Sequence, residues 1–145
     1  MGSSLQSYKN KYVRFHDGDL TDIILLSKSL ISNRVSEFSD VIEVVNNWNS
    51  ALERSGPGTL DLKLDKDLSD PNVKSRIVGF LEALKNEIGH YGVTIPSVFM
   101  NGLNPPNGTV YLGDPDVRHI QDTISSLQDL LESKDSLPDV YWVLP

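Results

Sequence analysis

Three histidines supply the side chains best suited to acid–base or metal chemistry near neutral pH: His16, His90 and His119. The stretch HDGD sets His16 beside Asp17 and Asp19, a donor set that could hold a cation. It lacks the further oxygen ligands and the distal glutamate of a calcium loop. Turn and helix-capping chemistry explain the two aspartates without a metal. His90 lies in GHYG, where a cation suits the end of a helix. His119 follows Arg118 and is expected on an exposed face. No spacing such as HxH or HExxH joins any of the three, and no metal or cofactor is expected.

Nucleophilic chemistry is equally unmarked. A serine nucleophile needs an elbow of the GxSxG kind, which the chain lacks. There is no cysteine, hence no thiolate, no disulfide and no thiolate-bound metal. Walker and dinucleotide-binding glycine patterns are absent. The loop NGLNPPNG, 101–108, is too rich in proline to cradle a phosphate; as a long polar loop it is a candidate binding element. The chain is therefore read as non-enzymatic.

Two segments begin alike, DPNVKSRI at 70–77 and DPDVRHIQ at 114–121. An aspartate at the N-cap accepts from an orphan N–H of the first turn, and proline at the next position loses no hydrogen bond. Asp70-Pro71 and Asp114-Pro115 are thus expected to start two helices. A carboxylate in that place would repel phosphate, so a doubled anion loop is disfavoured.

The elements that would position these residues follow from periodicity. Residues 8–15 read as a strand, and Asp19 as the N-cap of a helix over 20–31. The core of that segment, IILL, fits a buried strand as well. Residues 36–54 space Phe38, Val41, Ile42, Val45, Trp48 and Leu52 by three and four, as a helix does. Alternation predicts a strand over 59–65, with Leu60, Leu62 and Leu64 on one face. Helices are expected over 71–88 and 115–132. Strands are expected over 93–99 (at an edge or bulge, because of Pro96), 109–112 and 140–144. The fold class is α/β or α+β: a mixed sheet of four to five strands with about four helices, in one domain over 1–145. Residues 1–7 are expected to be disordered or a cloning scar.

Composition is that of a globular chain, 39% hydrophobic and 23% charged. No apolar run approaches the length of a membrane span. The N-terminus lacks a secretory pattern, and Gln6 breaks the myristoylation pattern. A cytoplasmic location is expected. The net charge of −7 is uneven: residues 111–145 hold seven acids against Arg118 and Lys134, a net −5. Such a surface repels nucleic acid and suits a basic protein. Asp114, Asp116, Asp122, Asp129 and Glu132 are the candidate contact residues, with Tyr111 as a nearby aromatic anchor. Tyr141 and Trp142 are further aromatic candidates.

The last third, YLGDPDVRHIQDTISSLQDLLESKDSLPDVYWVLP, combines a short strand, an acidic helix and a tryptophan-bearing terminal strand. In this it resembles bacterial immunity proteins of contact-dependent inhibition and related polymorphic toxin systems. The likeness spans roughly 109–145 and is architectural, so no residue is carried over by position. It implies a cytoplasmic inhibitor that binds a basic toxin domain, often a nuclease, and blocks it. Two alternatives stay open: a non-enzymatic adaptor, and a small enzyme built on a carboxylate and histidine site. A pocket joining His16 or His90 to acids would favour the enzyme.

Overall fold

A computed structural model describes residues 2–132 and 140–142. The chain opens with a β-hairpin, β1 (Ser3–Tyr8) and β2 (Lys11–His16). Lys9 and Asn10 join them with φ of 49° and 66°, both left-handed, as a two-residue hairpin turn matching the strand twist requires. The expected strand over 8–15 is therefore two strands sharing a turn, and residues 3–7 belong to the fold. Gly2 also belongs there. A Cβ at that position would lie 2.3 Å from the backbone N of Gly58, so only glycine permits the approach.

Among the described residues seven helices follow: α1 (Asp17–Asn33), α2 (Val35–Phe38), α3 (Ile42–Arg54), α4 (Leu64–Asp67), α5 (Pro71–Gly89), α6 (Ser97–Asn101) and α7 (Val117–Leu131). A last strand, β3 (Val140–Trp142), pairs parallel to β2, giving the sheet order β1-β2-β3. The fold is mixed α and β in one domain, but the sheet of four to five strands is not what forms; three strands pair among the described residues.

One helix is buried on nearly every side. Leu20, Ile23, Ile24, Leu25, Leu26, Leu30 and Ile31 of α1 are all buried, the pattern of a helix at the centre of a core. This settles IILL as helix. Helices α3, α5 and α7 pack around it with single apolar stripes, as their three-and-four spacing requires. Phe38 and Phe80 meet edge to face at 5.1 Å, joining α2 to α5. The expected helix over 36–54 is interrupted at 39–41 and so appears as α2 and α3.

The segment at 59–63 explains why alternation misled. Leu60, Leu62 and Leu64 are indeed buried, with exposed residues between them. Among the described residues no strand pairs with this segment to take their backbone groups. Side chains of β1 do so instead: Leu60 N–H donates to Ser4 Oγ (3.0 Å), Leu62 N–H to Gln6 Oε1 (3.0 Å), and Gln6 Nε2 to Leu60 O (2.7 Å). Buried backbone groups must find partners, and here the inward face of β1 is polar so that it can supply them. Ser4 and Gln6 are each 1% exposed.

Three further expectations are corrected. Residues 93–99 pair only at Thr94, with Asp116, and then coil into α6. Residues 109–112 form no strand. Asp70 caps α5 as expected, its carboxylate accepting from Asn72 N (2.8 Å). Asp114 does not cap α7; its carboxylate accepts from Ser97 N (2.7 Å) at the start of α6. The cap of α7 is Asp116, which accepts from His119 N (2.8 Å).

Replacing Gln6 with alanine would strip Leu60 O and Leu62 N of their partners inside the core. Each unpaired group costs about 1–3 kcal/mol, so Gln6→Ala should lower unfolding stability by about 2–4 kcal/mol in urea titration. A loss below about 0.5 kcal/mol, the range of surface substitutions, would contradict this bonding scheme.

Candidate functional site

The first two turns of α1 carry three aspartates, Asp17, Asp19 and Asp22, and each is held differently. The helix begins at Asp17 rather than after Asp19, because His16 takes the N-cap position in extended conformation. Asp17 accepts from Ser4 Oγ and, at 2.8 Å, from Gly58 N. Asp19 Oδ1 lies 3.0 Å from His119 Nε2 on α7. Asp22 accepts a short hydrogen bond from the phenol of Tyr111. Acidic groups here also complement the positive end of the helix.

Between this turn, the bend at 55–57 and the loop at 106–115 lies a cleft of about 610 Å³. Leu52, Pro57, Val110 and Leu112 contribute apolar wall, and Asp19 and Asp22 line it with carboxylates. Burial pushes Asp22 up to about 7; the Tyr111 hydrogen bond opposes this, the charge of Asp19 adds to it, and His119 opposes it. Burial likewise raises the Tyr111 phenol, reinforced by Asp22. A carboxyl titrating near neutrality can exchange a proton with a bound molecule. The partner histidine is His119, not His16 or His90. His90 is exposed, 3.7 Å from Glu87, and His119 is only 24% exposed rather than out in solvent. Among the described residues, no three histidines, aspartates or glutamates converge as a metal site.

The acidic residues singled out from the sequence divide by position. Asp116, Asp122 and Glu132 are exposed along or at the ends of α7, with Asp129 half-buried on the same helix. Asp114 is exposed beside the start of α6. Tyr111 stands apart from them. Its ring turns inward to Asp22, and its backbone is bracketed by Asn101, whose Oδ1 accepts from Tyr111 N (2.7 Å) and whose Nδ2 donates to Tyr111 O (3.0 Å). The side chains of Tyr141 and Trp142 lie outside the described residues.

Sequence reasoning missed the residues that the loops present. Val93, Val98, Val110 and Leu112 are 79%, 83%, 64% and 95% exposed. The apolar neighbours of Tyr111 were the available signal: the Tyr111 ring is turned in, and Val110 and Leu112 beside it are exposed. The pairing of Asp19 with His119 spans 100 residues and leaves no local trace.

Asp22 also sets a pH dependence. The folded state holds its proton up to about pH 7, whereas the unfolded chain loses it in the ordinary carboxylate range. The unfolded state then binds fewer protons, so the stability from this group falls as pH rises between those values, by up to roughly 4 kcal/mol. Asp22→Asn should flatten the stability difference between pH 5 and pH 8 measured by urea unfolding. Parallel pH curves for the two proteins would contradict the assignment. Comparison of the chain with protein-family models, with curated proteins and with solved structures finds no match.

Proposed function

We propose that the protein is a non-enzymatic inhibitor of the immunity type, which binds a basic toxin domain through its acidic surface. The observation that carries this reading is the outward array of carboxylates associated with α7: Asp114, Asp116, Asp122 and Glu132 are exposed, with Asp129 half-buried among them. Within α7 itself the only basic residue besides His119 is Arg118. A surface of one sign raises the local concentration of an oppositely charged partner and speeds its encounter, with gains of about 10–10³ in association rate. Short-range fit then holds the complex. Nucleic acid and anionic membrane are repelled by the same charge.

A second reading has one specific observation behind it. Asp22, raised toward neutrality at the wall of a cleft, is the kind of group a small enzyme would use. The two readings separate cleanly. Neutralisation of the toxin domain should survive Asp22→Asn if the protein acts by occlusion, and should be lost if a proton transfer at Asp22 is required.

The direct test is association with the protein product of the neighbouring gene, followed by surface plasmon resonance at low and physiological salt. Asp122→Lys combined with Glu132→Lys should slow association at least about 10-fold at low salt and flatten its salt dependence. Unchanged association at low salt would place the steering charge elsewhere. Failure of the unmodified protein to bind or neutralise the domain would remove the inhibitor reading.

A further inference from the structure

The segments that precede and follow the polar loop at 101–108 run side by side. Ile95 N–H donates to Pro115 O (2.9 Å) and Val117 N–H to Val93 O (2.9 Å). Asp114 accepts from Ser97 N, and Asn101 grips the backbone of Tyr111. These bonds draw together the segments that carry the exposed Val93, Val98, Val110 and Leu112, beside the start of α7. We infer that this aliphatic surface, rimmed by Asp114 and Asp116, is the contact face for the basic partner. It takes an apolar projection of that domain, flanked by lysine or arginine. The inference rests on the inhibitor reading and narrows it from a charged helix to a defined surface.

Isolated exposed aliphatics are ordinary, but four large ones on two paired segments are not. Apolar anchors within an acidic rim have the anatomy of a protein interface, in which charge steers and buried side chains hold. The surroundings sharpen the charge argument. No lysine or arginine occurs between Lys85 and Arg118, a stretch that carries Glu87, Asp114 and Asp116. The capping bonds use only one oxygen of Asp114 and one of Asp116, leaving the other oxygen of each for a cation. The backbone bonds across the two segments hold the aliphatic side chains in place before contact, so little ordering is lost on binding.

The occupant follows from the same charges. A second copy of this chain would set one acidic rim against another, each on a protein of net charge −7. A lipid surface with anionic headgroups would meet the same repulsion. A basic domain is the partner that relieves it.

The test uses the full chain and the protein product of the neighbouring gene. Val98→Asp combined with Leu112→Asp alters only exposed side chains, so thermal unfolding should be unchanged. The dissociation constant should rise at least about 100-fold, mainly through faster dissociation. If this variant binds as tightly as the unmodified protein while Asp122→Lys with Glu132→Lys slows association, the inhibitor reading stands and this surface is wrong. If the unmodified protein does not bind, both fall. A dimer of the free chain in sedimentation that Leu112→Asp dissolves would assign the surface to a second copy and overturn the inference.

Discussion

The hydrogen bond from the Tyr111 phenol to the Asp22 carboxyl ties together the two sides of the cleft. It links the most buried helix, α1, to a loop that has no regular structure of its own. A loop such as 102–116 has few backbone partners and would otherwise sample many conformations, at an entropic cost to any complex it formed. Tying Tyr111 down on both its backbone and its ring removes that freedom. The consequence is geometric: one side chain turns in, and its two neighbours, Val110 and Leu112, turn out. A carboxyl with a raised proton affinity is the cost of burying the acceptor.

The same logic, polar side chains serving backbone or one another deep in the fold, recurs at the hairpin. Ser4 and Gln6 occupy the inward face of β1, where valine or leucine would be usual, and take up the backbone of 60–62. The sheet therefore remains small. A segment whose alternation suits a fourth strand lies across its face rather than along its edge. At the acidic end, Asp114 and Asp116 divide the capping of α6 and α7 between them. Carboxylates exposed at this end of the molecule thus also hold its local structure.

How much of this could be read from sequence depended on whether the deciding contact was local. Helices α5 and α7 were legible because their apolar stripes record packing every three or four residues, and Asp70-Pro71 marked the start of α5. The burial of Leu60, Leu62 and Leu64 was legible, but not their element, since alternation reports which faces are dry and is silent on what satisfies the backbone. The Lys9-Asn10 turn was missed because it lacks the glycine that usually marks such turns. Asp114-Pro115 has the form of a helix start, yet tertiary pairing with 93–95 assigned that aspartate to a different helix. In the candidate site, the exposed acids were legible from charge alone. His119 with Asp19, and Asp22 with Tyr111, were not, because contacts across about a hundred residues write nothing into local spacing. The exposure of Val98, in the short helix α6, and of Leu112, in a loop, was hidden for a related reason: an aliphatic residue looks the same in sequence whether it is buried or presented.

The central claim is that a rigid aliphatic surface with an acidic rim exists to be covered by a basic protein. Hydrogen–deuterium exchange of the full chain, alone and with the protein product of the neighbouring gene, tests this most directly. The account predicts new protection concentrated in residues 91–99 and 109–114, with the amides of α3 and α5 unchanged. Protection that appears elsewhere while those two segments exchange as in the free protein would contradict it.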